Sequence, residues 1–396
     1  MKTILLLAAS NLPIPAYKGG ATETLITDFL NSNLIEDNSK YRFEVFSHCE
    51  GESFSKGNVL YRFIKPNTFE KLYLLFFRIL RICALKKTNI PDSFPLRLKR
   101  MIDFSKYDAV ILEGNKNQVI NLRKFYKGRI ALHIHTVITF TKETPNAKKI
   151  FDKCSYIISN SQYSKSIMQE INPDVDKIRT LPNCVNNQLF FPQPISIREY
   201  MRAAYKIDKD DFVYLYCGRL EPGKGVLELI KAFNSLTYNK KLIIVGSSWF
   251  STNKKTKYVD RLVQESLISK DDILFTGYIE HRDLPKYYSI ADVVVMPSVY
   301  QEAAGLVAIE AQMCGIPTII SNIGGIPEFI APNSKLKVEV NSAFVENLAE
   351  KMSIIYTDKK LYEHEKEIAL DNIKRFTIEH YSEQFLNILD EMTSEA

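Results

Sequence analysis

Two glutamates eight residues apart, Glu302 and Glu310, give the clearest chemical signal in the sequence. They lie in the segment from Ser298 to Pro317, which follows an apolar run at Val293–Met296 and ends in Gly315 and Pro317, a helix stop. The pattern predicts a helix from about Ala304 to Cys314. The neighbours of Glu310 at three and four residues are Leu306, Val307, Met313 and Cys314, so its carboxylate is centred on an apolar stripe. Desolvating a carboxylate is costly unless it is paired, so it must meet a cation or hydrogen-bond a polar ligand. Vicinal ribose hydroxyls suit its two oxygens. Glu302 lies just outside the helix, about 12 Å away at 1.5 Å per residue. A sugar nucleotide spans that distance, with ribose at Glu310, pyrophosphate at the helix N-terminus and hexose at Glu302. Spacing alone favours a buried ion pair for Glu310 and a dipole-facing carboxylate for Glu302. The strand–loop–helix context reverses that preference, because α/β folds bind ligands at the carboxyl ends of their strands.

A second constellation runs Cys217-Gly218-Arg219-Leu220-Glu221-Pro222-Gly223-Lys224-Gly225, after an apolar run at Phe212–Cys217. Its glycines permit tight turns and close approach of a ligand. Arg219 and Lys224 supply two cations suited to a pyrophosphate. It is not a phosphate loop of the GxxxxGK[ST] type, since that spacing fails. Alone it reads equally well as a glycine turn with solvated charges; beside the glutamate segment it gains meaning.

The third constellation is Ile130-Ala131-Leu132-His133-Ile134-His135-Thr136. Two histidines two apart on a strand face the same side. No third or fourth metal ligand is evident near them in sequence, so they form an incomplete metal site. Asp174-Val175-Asp176 and Asp208-Lys209-Asp210 match a DxD pattern but read as solvated loops. No metal is expected. His133 reads as a hydrogen-bonded histidine within a sheet.

The elements that must position these groups alternate regularly. Apolar runs at Thr3–Ala8, Phe43–Ser47, Ala109–Leu112, Ile130–His135 and Tyr156–Ser159 are separated by amphipathic stretches. A second series comprises Phe212–Cys217, Leu242–Val245, Ile273–Thr276, Val293–Met296 and Thr318–Ser321. Short, doubly buried strands separated by helices imply parallel sheets, and two series imply two Rossmann-like α/β domains. Prolines at 182, 192 and 194 interrupt both periodicities, which divides the chain into 1–188 and 189–375. The stretch 376–396 reads as a final amphipathic helix carrying Tyr381, Phe385, Ile388, Leu389 and Met392. The start, Met1 to Ser10, reads as a buried first strand running into a glycine loop at Gly19-Gly20, not as a leader.

Composition narrows the classes. Of 396 residues, 45% are hydrophobic and 25% charged, which is globular and excludes disordered or collagen-like chains. Net charge is +6, too small to imply a nucleic-acid partner. The six cysteines are scattered without a CxxC pair, as in a reducing compartment. No run of about 20 apolar residues suggests a transmembrane helix. The stretch 69–100 mixes Lys71, Arg78, Arg81, Lys86, Lys87, Arg97, Lys99 and Arg100 with many apolar residues. It reads as a core helix with a basic edge, or as a peripheral contact with an anionic inner-membrane face.

Taken together, the pattern GRL-x-x-x-KG, E-x7-E and GxP resembles the donor domain of retaining family 4 glycosyltransferases, the bacterial group 1 glycosyl transferases. The resemblance extends to Gly19-Gly20, Leu181-Pro182-Asn183, Gly277-Tyr278-Ile279 and Ser321 to Glu328. Cys184 and Asn186 depart from the family's usual glycine and aspartate in the linker. The resemblance implies a GT-B fold, with two Rossmann-like domains facing each other across a cleft and a last helix crossing back to the first domain. By the same resemblance, Arg219 and Lys224 would bind the donor diphosphate, and Glu310 and Glu302 the ribose and hexose hydroxyls. Gly305, Leu306 and Val307 would offer backbone N–H groups, Tyr278 and Ile279 would contact the base, and Gly19 and Gly20 would close on the diphosphate. His135 would lie beside the anomeric centre. The implied activity is metal-independent, retaining transfer of a hexose or N-acetylhexosamine from a nucleotide sugar, UDP-sugar favoured, to a glycan or lipid-linked acceptor. The expected location is cytoplasmic, possible contact with the inner face of the membrane included. The alternatives are a GT-B-fold sugar-nucleotide epimerase and a non-catalytic partner subunit.

Overall fold

A computed structural model describes residues 1–8, 12–17, 20–65, 72, 94–136, 140–173, 175–247 and 256–394. The chain divides into two compact units, Met1–Asn183 with Ile378–Ala396, and Cys184–Thr377. The division falls a few residues ahead of the expected 188/189, because the backbone N–H of Val185 already donates to Phe376 O within the second unit (3.0 Å).

The first unit is built on strands β1 (Lys2–Leu7), β2 (Tyr41–Ser47), β3 (Phe54–Lys56), β4 (Val59–Phe63), β5 (Ala109–Glu113), β6 (Arg129–Ile134), β7 (Tyr156–Ser159) and β8 (Ile178–Thr180). Their order is β3-β4-β2-β1-β5-β6-β7-β8. All described pairs are parallel except β3 with β4. The apolar N-terminal run is thus a central strand, hydrogen-bonded on one side to β2 and on the other to β5. Order reverses at β1, giving a switch point between β1 and β5.

The last helix, Ile378–Ser394, belongs to this unit. Its buried stripe is Ile378, Tyr381, Phe385, Ile388, Leu389 and Met392. Phe385 packs on Phe29 at 4.5 Å between ring centroids, and Lys2 Nζ donates to Thr393 O at 2.7 Å. Each fully buried side chain of this size contributes roughly 1.5–3 kcal/mol of transfer free energy. The expected start at 376 moves to 378. Phe376 closes a 3-10 turn and stacks on Phe329 in the second unit instead.

The second unit is built on β9 (Phe212–Cys217), β10 (Lys240–Val245), β11 (Ile273–Gly277), β12 (Val293–Met296), β13 (Thr318–Ser321) and β14 (Lys337–Val338), in the order β11-β10-β9-β12-β13-β14. All are parallel. Alternate residues explain the continuous apolar runs. On β9, Tyr214 and Tyr216 enter one core while Val213 and Leu215 enter the other. On β10, Leu242 and Ile244 face the first core and Ile243 and Val245 the second. A strand covered by helices on both faces needs apolar side chains at every position. Order reverses at β9, so the crevice of this sheet opens between the loops that follow β9 and β12.

Of the basic stretch, only Leu72 and residues 94–100 are described. There, Phe94 and Leu98 of the helix Phe94–Leu98 are buried, and Arg97 Nη1 donates to Lys65 O. Lys71, Arg78, Arg81, Lys86 and Lys87 lie outside the described residues, as does Gly19.

Candidate functional site

The two loops at the switch point of the second sheet bring the two charged constellations together. After β9 the chain makes a 3-10 turn at Pro222–Lys224, which Gly225 leaves at φ +69°. A Cβ on Gly225 would lie 1.8 Å from Pro297 O, so only glycine lets the two loops approach this closely. The contact is tied by a hydrogen bond from Val299 N to Gly223 O (2.9 Å).

Lys224 Nζ consequently stands 2.6 Å from Glu302 Oε2, with the two side chains 17% and 12% exposed. Burial works to lower the Lys224 pKa, but the Glu302 carboxylate outweighs it and the net shift is upward, so the ammonium stays charged. Ser298 Oγ donates to the other oxygen of Glu302, and the ammonium lies 5.4 Å from the Tyr300 ring centroid. Arg219 is more open; its Nη1 lies 3.0 Å from Glu221 Oε2. Arg219 is balanced by a carboxylate of its own loop, and Lys224 by one from the loop after β12.

Beyond Glu302 the helix runs over Leu306–Met313, two residues later than expected at its start, with Gly305 as N-cap. Gly305 O accepts from Ala308 N and Ile309 N, so the amides of Leu306 and Val307 precede the first intrahelical donors. Glu310 follows on the next turn and is 7% exposed. No lysine or arginine pairs with it among the described residues. Tyr288 OH donates to Oε2 (2.7 Å), and His281 Nε2 lies 3.0 Å from Oε1. The ion pair that spacing alone would favour is replaced by a phenol and an imidazole. Two partners leave a carboxylate with unused lone pairs.

His281 opens the turn after β11, directly beyond Tyr278 and Ile279. That short path places the expected base-contacting residues on the same sheet edge as Glu310. Ile279 packs against the core that contains Tyr288 and Phe190.

Tyr288, His281, Ser298 and Tyr300 escape sequence reasoning. His281 is close enough to Tyr278 to have been suspected. Tyr288 looks like any amphipathic helix residue, and only the fold sets it under Glu310.

In the first unit, Gly20 caps the helix Ala21–Leu30 at φ +108°. His135 follows the end of β6, and its Nε2 lies 2.7 Å from Glu113 Oε2. His133 and His135 share one face, with ring centroids 4.1 Å apart. The pair is not as isolated as the sequence implied: Glu113, the last residue of β5 and the register partner of His133, supplies a third potential ligand. Strand register brings this carboxylate in from 20 residues upstream, which local spacing does not reveal.

Residues 197–371 match the family described as Glycosyl transferases group 1. The chain is 30% identical over 206 residues to the lipopolysaccharide 1,2-N-acetylglucosaminetransferase of Salmonella typhimurium. It is 26% identical over 247 residues to the UDP-Gal:alpha-D-GlcNAc-diphosphoundecaprenol alpha-1,3-galactosyltransferase of Escherichia coli. These matches take in 51% and 58% of the chain, and 51% and 62% of the relatives' own lengths. Sucrose-phosphate synthase of Thermosynechococcus elongatus superposes over 100% of both chains with a TM-score of 0.78 at 19% identity. The architecture is therefore GT-B, and it is residues 197–371, within the second unit, that match the group 1 glycosyltransferases.

Proposed function

We propose that the chain is a retaining, metal-independent transferase that moves a hexose or N-acetylhexosamine from a UDP-sugar to a glycan or lipid-linked acceptor in bacterial surface polysaccharide synthesis. The observation that carries this reading is the convergence at one switch point of Lys224, Glu302, a helix N-terminus and the buried Glu310. The names of the two bacterial relatives support the substrate class: one acts in lipopolysaccharide assembly, the other uses UDP-galactose and a diphosphoundecaprenol-linked sugar.

In this reading the donor separates Lys224 from Glu302. The ammonium turns to the diphosphate, together with Arg219 and the amides of Gly305, Leu306 and Val307. Glu302 turns to hexose hydroxyls, and Glu310 uses its remaining lone pairs for the ribose. Tyr278 and Ile279 flank the base. Two cations and a helix N-terminus balance the charge that grows on the leaving diphosphate, which is why no metal is required. By the resemblance, Gly20 is assigned to the diphosphate, with Gly19 outside the described residues, and His135 to the sugar. The location is cytoplasmic, at the inner face of the membrane, with residues 69–100 as the peripheral contact. Among the described residues no helix is long and apolar enough to cross a membrane.

The test is transfer from α-linked UDP-sugars to a diphosphoundecaprenol-linked sugar in anionic vesicles, in excess chelator, with the anomeric coupling of the product read by NMR. An α-linked product is expected. A β-linked product contradicts retention, and release of an epimerised sugar nucleotide without acceptor favours the epimerase.

A further inference from the structure

The carboxylate of Glu113 is fully buried, and so is His133 beside it. Two imidazoles converge on one of its oxygens: His135 Nε2 at 2.7 Å and His133 Nδ1 at 3.0 Å from Oε2. Three groups of this kind could also be metal ligands, since their nearest ligand atoms all lie within 4.8 Å. The distances decide against that. Two ligands each about 2.0–2.2 Å from a tetrahedral ion stand about 3.3–3.6 Å apart. Both separations are too short for that, and the 2.7 Å contact of His135 Nε2 is an N–H donor facing an oxygen, whereas His133 Nδ1 at 3.0 Å lies within ion-pair distance but outside hydrogen-bond geometry.

The protonation pattern follows. Burial alone would raise the Glu113 pKa, but the charge and hydrogen bonds of His133 and His135 outweigh it and hold the carboxyl at about 2. The carboxylate is ionised and can only accept, so His135 must carry its proton on Nε2. Burial and the neighbouring His133 lower the His135 pKa, against the raising effects of Glu113 and Glu23, and the ring is neutral near pH 7. A neutral imidazole with a proton on Nε2 keeps a lone pair on Nδ1. That nitrogen is buried and meets no hydrogen-bond partner among the described residues. The backbone is held as well, by a hydrogen bond from Asn160 Nδ2 to His135 O (3.1 Å).

We propose that Glu113 is a positioning residue for the transfer reaction: it locks His135 in the Nε2–H tautomer, so that Nδ1 accepts a hydrogen bond from a sugar hydroxyl. The proposal deepens the glycosyltransferase reading and rests on it for the identity of the ligand. Sequence motifs do not reach it, because Glu113 and His135 meet only through the pairing of β5 with β6.

The experiment starts with the wild-type chain labelled with ¹⁵N-histidine, His135 being assigned through His135→Gln. Long-range ¹H–¹⁵N spectra without ligand should give a protonated Nε2 and an unprotonated Nδ1. Glu113→Gln should shift the ring to a mixture of tautomers. Its kcat should fall roughly 10–100-fold, as for loss of an orienting partner, while donor KM and UDP affinity stay within about threefold. Glu113→Asp, which keeps the charge, should recover part of the loss. An Nδ1–H tautomer in the wild type overturns the proposal, and so does wild-type kcat in a folded Glu113→Gln. A stoichiometric divalent ion retained through dialysis and lost in Glu113→Gln also overturns it, in favour of a metal site. Failure of the wild type to bind UDP counts against the functional reading, whereas the ligand-free tautomer still decides whether Glu113 sets the ring.

Discussion

Lys224→Ala lowers kcat by about 100- to 1,000-fold, the effect of removing one electrostatic stabiliser from a transition state that accumulates charge. The substitution acts twice. It removes the ammonium that the donor diphosphate would draw from Glu302, and it leaves a carboxylate only 12% exposed with Ser298 as its remaining close polar partner in the loop. Removing one member of a buried pair costs about 3 kcal/mol or more, so the denaturation midpoint of the second unit should fall as well. The double variant Lys224→Ala/Glu302→Gln separates the two effects. Neutralising Glu302 should restore most of the stability and none of the turnover. If Lys224→Ala keeps kcat within about threefold while losing stability, the pair is a structural brace and not part of the donor site.

Gly225→Ala should be strongly damaging for a change of one methyl group. The residue sits at φ +69°, where a side chain is strained, and its Cβ would meet Pro297 O at 1.8 Å and Pro297 C at 2.7 Å. Both are backbone atoms and cannot rotate away. Relief requires the loops after β9 and β12 to separate, which pulls Lys224 from Glu302 and breaks the Val299-to-Gly223 hydrogen bond. A cost of about 3 kcal/mol or more corresponds to a fall in Tm of roughly 6–12 °C for a unit of this size. UDP affinity should drop more than tenfold alongside. Gly305→Ala is the contrast. Its nearest added contact is Phe329 Cβ at 3.5 Å and its φ is −114°, so it should stay within about 1 kcal/mol of the wild type. Differential scanning calorimetry of the two variants checks the pair, and equal melting points would contradict the argument.

The sheets were legible because their strands are covered on both faces. Runs such as Phe212–Cys217 and Val293–Met296 alternate between two cores and therefore carry apolar residues at every position. The charged part of the candidate site was legible for a related reason. Lys224, Glu302 and Glu310 lie on the segments that directly follow or continue those strands, so local spacing reports their place in the fold. The residues that support them obey no such rule. Tyr288 reaches Glu310 from a different helix, and Glu113 reaches His135 from a different strand. Their contacts depend on strand order and register, which a single sequence leaves open. The helix start shows the same limit on a smaller scale. The pattern places it near Ala304, whereas the loop continues through Gly305 because Gly325 N and the Gly324 backbone pack against the Glu302 backbone.

Glu310 is buried against Tyr288 and His281 with no lysine or arginine partner among the described residues, and the proposed ribose contact depends on it more than on any other side chain. Titration of the full chain with UDP in excess chelator, followed calorimetrically for wild type and Glu310→Gln, tests it in one measurement. The wild type is expected to bind without divalent metal. Glu310→Gln is expected to bind roughly 10–100-fold more weakly, the value of about 1.5–3 kcal/mol for hydrogen bonds to a charged group. Equal UDP affinity in the two proteins, or no binding by the wild type once metal is removed, would contradict the proposed function.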